Sequence, residues 1–281
     1  MISSLLLPLL IQSATPYGSP IDPVLRPSEP KPEASEVPPP PQQVVPEPKS
    51  PEDIRFDQCI DQAAEDSGRG LLDANKWQIE GGGYLARNCL GFAYAELQQW
   101  DKAIPEFVQS AEGAQAAGDD RAAIFWSQAG NAALAKADYP LALDYLRAAL
   151  NQGTLDGLLK GEIHLDMARA FVALDQYDQA KAQFAWVHEI VPEDPLGWLL
   201  SATLARRMGD LALAKSDIAV AARLVATDPA IALEAGNIAY EAGDVLSAKS
   251  NWEQAVKFGP DSEPAKAAAR YLAQLVDGVE D

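Results

Sequence analysis

Two histidines and two cysteines in 281 residues leave almost no material for a metal site or a Cys/His catalytic centre. Basic charge is also short: 22 Lys+Arg stand against 41 Asp+Glu, a net charge of −19. A surface that acidic repels phosphate backbones and anionic lipid, so neither nucleic acid nor a membrane bound through a basic patch is an expected partner. No phosphate-cradling Gly-x-x-x-x-Gly-Lys, no Gly-x-Ser-x-Gly elbow and no His-Glu-x-x-His is present. Gly81-Gly82-Gly83 has no strand before it and reads as a turn. No cofactor is expected. Forty-one acidic residues always contain pairs suited to acid/base catalysis, but without a pocket to single one out the choice is arbitrary. The apolar run Ile2 to Ile11 has ten residues, about half of what a helix needs to cross a hydrocarbon core, so a stable transmembrane anchor is not expected there.

Proline divides the chain into two materials. Thirteen of the 21 prolines fall between Pro16 and Pro51, among Ser, Glu and Gln and without an apolar period. Residues 15–51 are therefore expected to be a disordered, proline-rich segment favouring polyproline II, either a reach-giving arm or an inert tail. Ahead of it, residues 1–14 read as a secretory signal with cleavage near Ser13 or Ala14, although no Lys or Arg precedes the apolar run. No Cys follows that run, so a lipoprotein-type anchor is not expected. The expected location is periplasmic or secreted. In the cytoplasmic alternative, Ile2 to Ile11 is an ordinary helix.

From Tyr84 onward the chain repeats itself with a period near 34 residues. When Ala103, Ala142, Ala180, Ala214 and Ala248 are aligned, a small residue stands twelve places before each: Gly91, Gly130, Ala168, Ala202 and Gly236. A large apolar residue stands four places after: Phe107, Leu146, Phe184, Ile218 and Trp252. The spacing within each unit is helical and breaks at Gly or Asp in the middle, so each unit is expected to be a helical hairpin stacked on the next. The five units span 84–122, 123–160, 161–194, 195–228 and 229–262. Two are lengthened, by turn-rich insertions expected at Gly113 to Asp119 and Asn151 to Gly157. Residues 52–83 read as two capping helices and 263–281 as a terminal helix and tail, with Tyr271, Leu272 and Leu275 turned inward.

Counting Tyr84 as position 1, the pattern of small residue at 8, Ala at 20, large residue at 24 and occasional Pro at 32 resembles the tetratricopeptide repeat family. Trp126 and Trp198 also occupy its Trp-type fourth position. Arg87, His164 and Ala232 depart from that position, and Ala133, Ala205 and Ala239 replace the aromatic residue of the eleventh. Leu134 and Tyr240, one place on, are expected to fill two of the latter gaps; looser packing is expected around Ala205, whose neighbour is Arg206. His164 and His188 fall on opposite helices of one hairpin and are expected to serve packing or surface roles. The resemblance implies an all-α, right-handed solenoid with a concave inner groove that binds a protein or peptide and performs no catalysis. At groove position 9 stand Phe92, Asn131, Arg169, Thr203 and Asn237, the last four an expected polar ladder for a peptide backbone. Asn131 and Asn237 match the family's peptide-holding asparagines, and Arg169, Arg206 and Arg207 are expected to make the groove positive, favouring an acidic ligand. The alternatives are a cytosolic co-chaperone-like adaptor and a helical envelope enzyme using paired carboxylates. Self-association through the apolar end of the array is allowed by the sequence but not decided by it.

Cys59 and Cys89 lie 30 residues apart, on helices expected to be parallel neighbours. A disulfide there would staple the cap to the array, provided that the Gly81–Gly83 loop takes up a one-turn offset. Two separately buried thiols are the alternative.

Overall fold

The computed structural model describes residues 49–277. The expected signal at 1–14 and nearly all of the proline-rich segment at 15–51 lie outside the described residues. Among those described there are thirteen α-helices and no strand. They form an antiparallel succession of hairpins: a cap of α1 (Pro51–Glu65) and α2 (Ser67–Ile79); then α3 (Gly83–Glu96) with α4 (Trp100–Ala117), and α5 (Ala122–Ala135) with α6 (Tyr139–Asn151). These are followed by α7 (Gly157–Ala173) with α8 (Tyr177–Ile190), α9 (Pro195–Arg207) with α10 (Leu211–Leu224), α11 (Pro229–Glu241) with α12 (Val245–Phe258), and a closing α13 (Glu263–Asp277). The architecture is a right-handed α-solenoid.

Each hairpin closes on the residues that carry the repeat. The five aligned alanines have no exposed surface. At position 8 a Cβ on Gly91 would stand 2.8 Å from the Phe107 ring, and one on Gly130 2.7 Å from Leu146, both too close for packed carbon atoms. On Gly236 it would overlap the indole of Trp252. The large side chain of the second helix therefore sits directly on the backbone of the first, and the small residue sets how near the two helices come.

Local chemistry starts and stops the helices. The five second helices begin at the five residues that precede the aligned alanines by three places, Trp100, Tyr139, Tyr177, Leu211 and Val245. Asp138, Asp210 and Asp244 cap three of them by accepting from backbone N–H groups, and Asp194 and Asp228 do so for α9 and α11, each ahead of a proline at N1. In every repeat the first helix ends in the same left-handed turn at position 15, at Gln98, Ala137, Asp175, Gly209 and Gly243. There the N–H of the residue after it reaches back to the carbonyl five residues earlier, as Asp138 N does to Ala133 O at 2.9 Å. Glycine fills two of these sites, while Gln98, Ala137 and Asp175 adopt φ of 54°, 64° and 57° with a Cβ in place.

Three expectations need correction. The first insertion, at Gly113 to Asp119, is not a loop: Gly113 to Ala117 extend α4 to 18 residues, because an Ala-rich run continues a helix and only Gly118, at φ 68°, stops it. Tyr240 does not fill the gap at Ala239 but is 51% exposed. Tyr271 is 39% exposed, since the packed face of α13 is carried by Leu272 and Leu275. Around Ala205 a narrow cleft of about 20 Å³ remains, bounded by Lys181, Leu204 and Met208.

Cys59 on α1 and Cys89 on α3 are bonded to each other, with Cα atoms 6.1 Å apart. The same junction is held by Arg121, which donates to Asp53 of α1 at 2.7 Å and to Asp119, whose carboxylate also accepts from the Tyr84 hydroxyl at 2.8 Å. The Arg121 hydrogen bonds hold the Asp119 carboxyl down at about 2.

Both histidines serve inter-helix packing. His164 meets Gln183 Oε1 at 2.8 Å and stacks on Trp186, while His188 stacks on Trp198 with ring centroids 3.6 Å apart. Burial pushes both imidazoles below their ordinary value of 6.5. The unfolded chain then binds more protons, so the stability that these rings contribute is complete above about pH 6.5 and is lost as pH falls below it. Urea unfolding between pH 7.5 and 5 is expected to show this loss, and the double variant His164→Gln/His188→Gln to flatten it.

A second test addresses the hairpin geometry. Gly236→Ala is expected to cost about 1–3 kcal/mol by driving a methyl into Trp252. Ala137→Gly, which relieves a left-handed alanine, is expected to stabilise by about 0.5–1 kcal/mol. Both are read from denaturation midpoints.

Candidate binding groove

The first helices of neighbouring hairpins touch one another, α5 with α7, α9 with α11 and α11 with α13, whereas the second helices make no comparable contact. The first helices therefore line the inner curve, and position 9 of the second to fifth repeats opens onto it. Of the expected groove residues, Asn131 and Arg169 line one cleft of about 490 Å³, together with Leu134 and Tyr139. Arg169 also borders the next, of about 150 Å³, together with Val172, Leu200, Thr203 and Arg207. Arg206 and Asn237 stand in a third, of about 290 Å³, at the C-terminal end. The six groove residues thus fall into a row of clefts, two of which share Arg169.

Their chemistry differs from the expected ladder. Asn131 is exposed and makes no hydrogen bond among the described residues. Thr203 turns its hydroxyl back to the Leu199 carbonyl at 2.9 Å, a bond within its own helix. Asn237 is used by the fold: its Oδ1 accepts from Trp252 Nε1 at 3.1 Å, and its Nδ2 donates to Glu234 Oε2 at 3.2 Å. Phe92, at the same place in the first repeat, packs into the apolar core between the first two hairpins.

Nor is the groove a band of positive charge. Arg206 Nε donates to Glu234 at 2.6 Å and its Nη1 to Glu241 at 2.5 Å, so this guanidinium is neutralised twice over. Arg169 pairs with Asp166 at 3.1 Å, one helical turn away. Arg207 alone among the three makes no ion pair with any described residue. Arg206 and Glu234 are 28 residues apart, a separation at which consecutive first helices bring side chains face to face, so the pairing follows from the stacking rather than from any local motif. Desolvation lifts the Asp166 carboxyl above its ordinary value, opposed by the nearby Arg169.

Sequence reasoning missed the aromatic walls of the C-terminal cleft. Tyr240, one wall, reads in the repeat as filling the gap at Ala239, and the opposite wall, Tyr271, comes from α13, which the repeat does not index. Among the described residues no group of three or more His, Cys, Asp or Glu side chains is placed to hold a metal ion, and no helix is long and apolar enough to cross a membrane.

No family model matches the chain and no curated protein matches it. Solved structures do resemble it. PilW, described as a widely conserved type IV pilus biogenesis factor, aligns with a TM-score of 0.66 at 16% identity, over 79% of this chain and all of its own. PilF of Pseudomonas aeruginosa gives 0.62 at 16% identity, over 79% of this chain and 100% of that one. YrrB, described as a TPR protein with an unusual peptide-binding site, gives 0.54 at 19% identity, over 70% and 97%. At these identities what is shared is the fold.

Proposed function

We propose, with the tetratricopeptide-type solenoid as premise, that this chain is a non-enzymatic scaffold that holds an extended protein segment along the middle of its inner face, and that it works outside the cytosol. The observation that carries the first part is the pair of clefts joined at Arg169. They present polar groups that the fold leaves unused, Asn131 and Arg207, beside the apolar surface of Leu134, Val172 and Leu200. An extended chain needs this combination: donors and acceptors for its backbone, and apolar recesses for alternate side chains. YrrB, which shares the fold, is described as having a peptide-binding site. Of the six groove residues, Asn131, Arg169 and Arg207 carry the contact, with Thr203 as an apolar neighbour through its methyl group; Asn237 and Arg206 support the end of the groove instead.

Export is supported by the Ile2 to Ile11 run and by the Cys59–Cys89 bond, since disulfides persist where thiols are not kept reduced. The proline-rich residues 15–51 then act as an arm that gives the array reach.

A photo-crosslinking residue placed at Asn131 or at Thr203 of the full chain, in the native compartment, is expected to mark one and the same short segment of a partner. The same residue at Asp144, 72% exposed on the second-helix side, is expected to mark none. Replacing Asn131, Arg169 and Arg207 together by Ala should lower the crosslink yield from position 203 at least tenfold with helicity unchanged. Crosslinks that favour Asp144, or a yield untouched by the triple substitution, would remove the reading.

A further inference from the structure

The third cleft is built differently from the other two. Trp252, 3% exposed, forms its floor, and its ring centroid lies 5.6 Å from that of Tyr240 and 5.2 Å from that of Tyr271. The two tyrosines come from α11 and α13 and leave much of their ring surface in water on either side of the cleft. Neither tyrosine belongs to the buried cluster beneath, which holds Ala239 and Ala268 and has Leu272 and Leu275 packed against it.

The polar groups at this cleft are arranged by charge. Glu234 is buried and fully used, accepting from Nε and Nη2 of Arg206 and from Nδ2 of Asn237. Glu241, 42% exposed, gives Oε1 to Arg206 and keeps Oε2 without a hydrogen bond among the described residues. One guanidinium against two carboxylates leaves the cluster a single negative charge, and of the two carboxylates it is Glu241 that lines the cleft. Gln274 completes the α13 side. The cation–ring contacts of the described residues lie elsewhere, at Trp77, Tyr94, Phe56 and Phe171, so no internal cation occupies these rings.

Three aromatic rings around the cleft, a Glu241 oxygen without a hydrogen bond among the described residues and a chain of net charge −19 all favour a cation over an anion. The volume, about 290 Å³, takes an alkyl stem with a charged head. Arg206, which lines it, directly precedes Arg207 of the neighbouring cleft, so a side chain of a segment lying along the groove can reach it. We propose that this cleft takes the side-chain ammonium of a lysine carried by the bound segment, its methylene stem between Tyr240 and Tyr271 and its nitrogen at Glu241. The carrier rests on the scaffold reading above; the chemistry of the cleft does not.

The probe is n-butylammonium, titrated into the full chain and followed by tryptophan fluorescence and amide chemical shifts. Saturable binding is expected, with shifts centred on Tyr240, Trp252 and Tyr271, and n-butanol, a neutral molecule of the same length, is expected to bind about tenfold more weakly. N-acetyl-lysine methylamide should bind as n-butylammonium does. Tyr271→Ala should weaken the probe about tenfold and Glu241→Gln severalfold; both positions are well exposed, and circular dichroism verifies that the fold survives. Equal binding of n-butanol, shifts away from these rings, or affinity unchanged in both variants would overturn the proposal. No partner is needed for this titration, so its failure is separate from a failure of the crosslinking test.

Discussion

The whole array depends on one contact made five times: a large side chain from the second helix of a hairpin resting on a small residue of the first, with a buried alanine beside it. Glycine under Phe107, Leu146 and Trp252 fixes the separation in three hairpins, and Ala168 with Phe184 and Ala202 with Ile218 share the buried core of the other two. A short hairpin packed this closely still has an apolar side to cover, and it covers it on its neighbour. The inner face then follows, because the first helices stack side by side and their position 9 residues fall into line. At one end the disulfide, with Arg121 between Asp53 and Asp119, ties on the cap; at the other, α13 covers the last hairpin.

Packing of this kind was legible in the sequence because it is periodic. The phase of the five alanines marked the repeat, and the small residues twelve places before them marked the close approach. What was not legible has particular reasons. The left-handed residue at position 15 is announced by Gly209 and Gly243 but hidden by Gln98, Ala137 and Asp175, where the hydrogen bonds of the turn outweigh the unfavourable backbone. Gly113 suggested a break that the surrounding alanines overrule.

The groove was harder to read for a different cause. Position in the repeat told which residues face inward, but not whether the fold itself uses them. Arg206 counts as a groove cation until stacking brings Glu234 and Glu241 against it, and Asn237 as a ligand-holding amide until Trp252 and Glu234 engage it. Long-range partners of this kind arise from tertiary contact and leave no local trace. The same holds for Tyr271, which meets Trp252 only once α13 has docked. An acidic chain thus spends part of its scarce positive charge internally, and the chemistry left for a partner is concentrated at Asn131, Arg207 and Glu241.

The most direct measurement is thiol labelling of five single variants, Ala103→Cys, Ala142→Cys, Ala180→Cys, Ala214→Cys and Ala248→Cys, in the oxidised full chain. The account predicts that each new thiol resists a small alkylating reagent under native conditions and reacts at the rate of an open chain in urea. Rapid native labelling at these positions would mean that they lie outside the hairpins, and would contradict the packing on which everything else stands.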